Sequence, residues 1–274
     1  MLKDVAFGQY YPVKSPVHRM DPRAKIVLLI LYIVMIFVVK NFWGFLLTGC
    51  FLLTAILFSK VPLKSVAKSV KAIIFIIIFT FVINIFLHKE EGAKVLLDVW
   101  LLRNITDKSL YYAIFMALRL LFLVFGSSLL TLTTTPVALT DGIESLLKPL
   151  TLIKFPVHEL ALIMSIALRF IPTLMEETER IISAQKARGA DFESGNLFSR
   201  VKALLPVLIP LITSAFRRAD ELGDAMDARC YNGSKNRTKY KKLKFTLPDL
   251  VATVLSLAVL AGVIILNTFS GAVV

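Results

Sequence analysis

The sequence predicts an all-α polytopic membrane protein with about five spans and two long, charge-bearing helices projecting into the cytoplasm. Three observations predict it. Of the 274 residues, 57% are hydrophobic and 19% are charged, against about 25% charged in a typical soluble domain, and the mean hydropathy is +0.74. Apolar runs approaching the length that crosses a hydrocarbon core of about 30 Å recur along the chain. Between Arg169 and Gly233, by contrast, charged and apolar residues are interleaved in two helical patterns.

In chain order, residues 1–25 are polar and carry Lys3, Lys14, Arg19, Arg23 and Lys25 against Asp4 and Asp21. Asp21-Pro22 reads as a helix start, the aspartate capping and the proline in the first turn. Apolar runs then predict spans at 26–39 and 42–59, joined by the brief break Lys40-Asn41, which fits only a tight hairpin. The first run lacks a small-residue cleavage site, so no cleavable leader is expected. A link with Lys60, Lys64, Lys68 and Lys71 precedes a third span at 72–87. The link 88–108 is charge-balanced and holds Trp100, where an interface aromatic is expected. A fourth span, 110–132, is interrupted by Arg119, which reads as a snorkelling residue near a boundary. Thr133-Thr134-Thr135-Pro136 ends it or begins the next helix.

Charge orients the chain. The N-terminal segment is net +3, the 60–71 link +4 and the 88–108 link 0, which puts the first two inside and the third outside. Residues 136–246 carry 17 Lys or Arg and 12 Asp or Glu, again inside. A basic run, Lys235 to Lys244, precedes a last span at 250–268 that leaves the C-terminus outside. The expected organisation is a four-span part at 1–135, a region with two long helices at 136–246 and a C-terminal transmembrane helix at 247–274. The +13 net charge thus reports membrane orientation and does not suggest nucleic acid.

Within 136–246, Leu160–Ile171 and Leu204–Ile212 are almost wholly apolar. They read as membrane-embedded or interfacial starts of long helices, kinked by Pro172, Pro206 and Pro210; a full span at each is the competing reading. One helix runs from before Pro172 to Lys186, the other from about Val201 to Ala228. They close on Ala187-Arg188-Gly189 and Ala228-Arg229-Cys230. A last-turn arginine is favoured by the helix dipole, so either alone reads as a solvated residue. The same arrangement on adjacent helices singles both out.

Other constellations are weaker. Glu176 and Arg180 are spaced to pair on one helix face. Asp220, Asp224 and Asp227 share a face with Glu221 nearby, a set that suits a basic partner surface better than a metal, since no second acidic cluster or histidine completes a site. His158-Glu159 lacks the second histidine of a zinc-protease helix, and no phosphate-cradling loop occurs. Cys50 and Cys230 supply neither a disulfide framework nor metal-ligand spacing. The alternatives are a self-contained secondary transporter, which calls for polar residues inside the spans beyond Thr48, Thr54, Asn84 and Arg119, and a membrane enzyme using the aspartates on a lipid diphosphate.

Four blocks carry a resemblance over essentially the whole chain: Ser15-Pro16-Val17-His18-Arg19-Met20-Asp21-Pro22-Arg23-Ala24-Lys25, Thr133-Thr134-Thr135-Pro136, Ala167-Leu168-Arg169-Phe170-Ile171-Pro172, and the two arginine tripeptides. In this order they resemble the EcfT/CbiQ family, the transmembrane coupling subunits of energy-coupling factor (ECF) transporters, a class of ABC importers of the prokaryotic cell membrane. The resemblance implies a non-enzymatic subunit without a cofactor of its own. Its implied partners are two homologous ATPases that use ATP and Mg, and a small integral-membrane subunit that binds a vitamin or metal ion. It further implies that the two long helices cross and that Arg188 and Arg229 each dock into one ATPase. Cys230 departs from the commoner glycine, which leaves the capping of that helix open.

Overall fold

The computed structural model describes residues 10–87, 95–97, 105–190, 192, 196–233 and 243–269. The charges of the first nine residues, Trp100 and most of the basic run before the last helix lie outside the described residues. Compactness divides the chain into two units. One holds Gln9–Ile143 and Leu243–Val274; the other holds Glu144–Lys242 with the first eight residues.

The larger unit is a helical bundle. A single-turn helix, α1 (Pro16–Arg19), is followed by α2 (Pro22–Val38), α3 (Phe42–Ser59), α4 (Leu63–Leu87) and α5 (Asp107–Thr133), and by α9 (Leu247–Phe269) from the far end of the chain. Most of α6 (Pro136–Leu147) also falls here. The link between α4 and α5 contains a two-stranded antiparallel ribbon, β1 (Val95–Leu97) with β2 (Ile105–Thr106). Asp21 caps α2 as expected, accepting from Arg23 N–H at 2.9 Å with Pro22 in the first turn. Asn41 begins α3 after the two-residue break. Lys60 turns the chain with a left-handed φ of 56°. The lysine link is largely helical: Lys64, Lys68 and Lys71 lie exposed on the first turns of α4, which bends by 57° between Lys71 and Ile73.

Among the described residues, four helices are long and apolar enough to cross a membrane, namely α3, α5 (from Ser109), α7 (Val157–Ala187) and α9, and the bent α4, taken as one span, makes a fifth. The expected first span, α2, falls one residue short of that length, and α7 takes the full-span reading that the sequence left open. At 17 residues α2 extends only about 26 Å, whereas α7 continues as one 31-residue helix through Pro172. The outward apolar side chains of the bundle, such as Phe58 at 65% and Phe75 at 76% exposure, are what a lipid solvent requires.

At the centre of the bundle α2 packs on α5 and α9. Met35, Ile36 and Val39 are fully buried with Val263 of α9. Phe45 meets Phe115 edge-on at 4.6 Å and Phe122 at 5.6 Å. The Tyr32 hydroxyl donates to the Phe122 carbonyl at 3.0 Å, and the ring lies so close to Gly126 that a Cβ there would collide with it.

Both ends of α2 are fastened by polar contacts. At its start, Lys25 is buried and its ammonium donates to the Thr133 carbonyl at 2.9 Å and the Thr134 hydroxyl at 3.1 Å. The counter-charge is Asp249, 2% exposed. Its carboxylate accepts from Asp21 N–H at 2.9 Å and from the Thr246 amide and hydroxyl at 2.7 Å each. The last contacts form half of a capping box at the start of α9. At the other end, Asn267 Nδ2 donates to the Val38 carbonyl at 2.7 Å, and Asn41 Nδ2 donates to the Leu266 carbonyl at 3.4 Å. Arg119 joins this end. Its guanidinium donates to the Val39 carbonyl at 3.1 Å and stacks on Phe115 and Phe37 at 5.2 and 5.8 Å.

Removing one member of a buried charged set costs about 3–5 kcal/mol, because its partner stays buried and unpaired. Lys25→Met should therefore lower the thermal unfolding midpoint of the purified protein sharply, and adding Asp249→Asn should restore part of the loss. A midpoint for Lys25→Met equal to that of the parent protein would show that the ammonium does not hold α2, α5 and α9 together.

Candidate docking site

The smaller unit contains a 3₁₀ turn (Lys148–Ile153), α7 and α8 (Leu197–Ala228). The His158 Nδ1–Glu144 Oε1 contact at 3.0 Å ties the start of α7 to the end of α6. Each long helix runs unbroken through its prolines, Pro172 in α7 and Pro206 and Pro210 in α8.

The two helices run antiparallel over part of their length. Arg218 of α8 pairs with Glu177 of α7 at 3.2 Å. Further on, Leu222, Met226 and Arg229 share a groove of about 550 Å³ with Leu162, Ile166 and Arg169. The cross-helix ion pair uses Glu177, while Glu176 and Arg180, whose spacing would allow a pair, stay apart on an exposed face.

The arginine tripeptides close their helices in the same way. Arg188 caps α7; Gly189 follows at φ 88°, its N–H bonding the Lys186 carbonyl at 3.0 Å while Ala190 N–H reaches back to Gln185 at 3.0 Å. Arg229 caps α8; Cys230 follows at φ 56°, its N–H bonding Asp227 at 2.9 Å while Tyr231 N–H reaches Met226 at 3.0 Å. This pair of bonds satisfies the last helical carbonyls and requires a left-handed residue after the cap. The capping left open by Cys230 is thus the same closure, with cysteine in the place of glycine. In both helices the arginine is the last residue before the chain reverses, and its side chain is exposed, as are Ala187, Gly189, Ala228 and Cys230.

The structure does not bring the two arginines together. Ile166, which lines the groove beside Arg229, is 22 residues from Arg188 along α7, about 33 Å at 1.5 Å per residue. Asp220, Glu221, Asp224 and Asp227 are all exposed on α8, so their carboxylates face outward along the last two turns before Arg229. Sequence reasoning missed the groove, because its two walls are about 60 residues apart in the chain. It also missed Asp249, whose Thr246-Leu-Pro-Asp249 spacing was the available signal.

A left-handed conformation costs an L-residue about 1–2 kcal/mol, and glycine adopts it freely. Cys230→Gly should therefore tighten the end of α8 and slow exchange of the Tyr231 amide hydrogen about fivefold or more. Cys230→Val should speed it. Equal exchange in all three proteins would mean that the cysteine is unstrained.

Residues 13–240 match the family model CbiQ, described as cobalt transport protein. Among curated proteins, the chain is 49% identical to the energy-coupling factor transporter transmembrane protein EcfT of Ruminiclostridium cellulolyticum, over 97% of this chain and 98% of that one. It is 51% identical to the EcfT of Clostridium kluyveri over 94% of each chain, and 46% identical to that of Bacillus subtilis over 96% of this chain and 98% of that one. A family match across most of the chain, with near-complete relatives and a multi-pass helical fold ending two long helices on arginine, leads to one conclusion: the chain belongs to the CbiQ/EcfT family of transmembrane transport proteins.

Proposed function

We propose that this protein is the transmembrane coupling subunit of an ECF-type ABC importer. It joins two cytoplasmic ATPases, which bind ATP and Mg, to a small membrane subunit that captures a vitamin or metal ion. The observation that carries the docking role is the repeated closure: two helices present an exposed arginine at the same cap position, far apart along the pair. Each guanidinium enters an acidic or carbonyl-lined groove on a different ATPase. Five donors in a rigid fork suit it to that task better than a lysine ammonium. The small residues Ala187, Gly189 and Ala228 let the partner approach the helix end closely, and Asp220, Glu221, Asp224 and Asp227 meet a basic surface beside it.

In this reading 1–135 and 247–274 form the membrane part, and 136–246 is the cytoplasmic coupling region. Helices of 31 and 32 residues act as rigid levers: when the ATPases close on ATP, displacement of the docked tips is transmitted along them as a rigid-body motion. The secondary-transporter alternative lacks support from the polar residues of the spans. Thr48 donates to the Gly44 carbonyl, Thr54 to Phe51 and Asn84 to Thr80, each within its own helix, and Arg119 fastens the end of α2. They are spent on local backbone rather than on a shared site.

Orientation is tested by a cysteine at Gly271 in a background lacking Cys50 and Cys230. With the N-terminus inside and the C-terminus outside, it labels with an impermeant reagent on intact cells; labelling only after permeabilisation reverses the assignment.

Docking is tested by Arg188→Glu, Arg229→Glu and the double variant, with Arg180→Glu as control. Truncating a buried, charge-paired arginine costs about 2–5 kcal/mol of binding, and charge reversal costs no less. Each single variant should loosen one ATPase in pull-down and reduce uptake, the double should release both, and membrane insertion should be unchanged. Parental assembly and uptake in the double variant would remove the docking role from both arginines.

A further inference from the structure

The turn between α6 and α7 has a feature that ATPase docking does not use. Leu152 and Ile153 are 88% and 80% exposed at its tip, and Leu150 and Phe155 flank them at 39% and 44%. Lys148 and Lys154 bracket the apolar pair, and no acidic residue occurs between Glu144 and Glu159.

The turn is built, not extended. Its 3₁₀ backbone ends on Lys154 at φ 61°, whose N–H bonds the Leu150 and Thr151 carbonyls, and Phe155 N–H returns to Leu150 at 3.4 Å. An internally bonded turn carries its apolar tip into a medium without water at less cost than an open loop. It leads directly into α7, which is long and apolar enough to cross a membrane. Two aliphatic side chains at the tip and an ammonium on each flank match the layering of a bilayer surface, acyl chains beneath and phosphates above. Lysine stems reach upward to the phosphates while the tip stays down.

We infer that the turn Lys148–Phe155 is a lipid-contacting insertion: Leu152 and Ile153 enter the acyl boundary of an anionic membrane, and Lys148 and Lys154 hold its headgroup phosphates. The insertion fixes the start of α7 at the membrane surface, so that a push on the Arg188 end acts against an anchored point rather than sliding the helix.

The test uses the full-length protein with Trp43 and Trp100 replaced by Phe and a single tryptophan introduced as Leu152→Trp. It is reconstituted in vesicles of phosphatidylcholine and phosphatidylglycerol, with brominated phosphatidylcholine as the quencher. The insertion predicts that brominated lipid removes about half or more of the emission, while Ser183→Trp on the charged half of α7 is unaffected. Adding Lys148→Glu and Lys154→Glu should reduce the quenching in vesicles containing phosphatidylglycerol, but not in phosphatidylcholine alone. Water-like emission at position 152, insensitive to brominated lipid, would overturn the insertion. A blue shift without quenching, appearing only in the assembled transporter, would also overturn it and give the tip to a protein partner. Equal quenching of the lysine variants in both vesicle types would remove the phosphate contacts. The turn shares no residue with either arginine closure, so ATPase pull-down scores the docking proposal separately.

Discussion

The bundle depends on one buried ammonium. Lys25 lies where the start of α2, the end of α5 and the start of α9 converge, and its bonds to Thr133 and Thr134 with Asp249 as counter-charge are all removed from water. In a lipid solvent the outer faces of these helices gain little from packing on one another, since acyl chains are as apolar as leucine. Specificity must come from shape and from polar contacts that have no alternative partner. Lys25 and Asp249 supply these at one end of α2, Asn267 and Arg119 at the other. Between the two clasps, Tyr32 against Gly126 and Phe45 against Phe115 set the depth of packing. A helix of only 17 residues is thereby held as firmly as its longer neighbours.

This explains which features were legible in the sequence. The spans were readable because hydropathy reports the solvent of each helix directly, and the Asp21-Pro22 start and both long-helix ends because caps are local. What the sequence hid was long-range. Arg119 reads as a boundary residue in a window of apolar neighbours, yet its partner is a carbonyl 80 positions earlier. Asp249, which the sequence did not single out, accepts from Asp21 at a separation of 228. Two of the sequence blocks that carried the family resemblance, 15–25 and 133–136, become one structural object through Lys25. That they belong together is invisible to any local pattern.

The arginine-capped helix ends show the converse case, in which a local rule was obeyed by an unexpected residue. Glycine after the cap is favoured because a Cβ strains the left-handed backbone. At Cys230 the same two closing bonds form without it. The bonds thus outweigh the strain, and the arginine keeps its place at the cap. Its position there has a physical use. A residue one turn earlier would share the helix cylinder with neighbours, whereas at the cap the chain reverses immediately behind it and leaves the side chain accessible from the end. Arg188, with open space around Gly189, has that access in full.

The smaller unit has a thin core of its own. Along α7 and α8, Val157 and Val207 are the buried apolar side chains among the described residues, and the Glu177–Arg218 ion pair at 3.2 Å joins the two helices. Phe198, Ile209 and Phe216 on α8 and Ile163 and Met164 on α7 are exposed. Two helices cannot bury a face each with so few mutual contacts, so most of the free energy that fixes this pair has to come from its surroundings. For a structural core that would be a weakness. Under the proposed docking role it becomes useful, because a pair held by its interfaces can be moved by exchanging one set of contacts for another. On the proposed coupling role, a firmly clasped bundle suits a fixed part and a loosely joined helix pair suits a moving one.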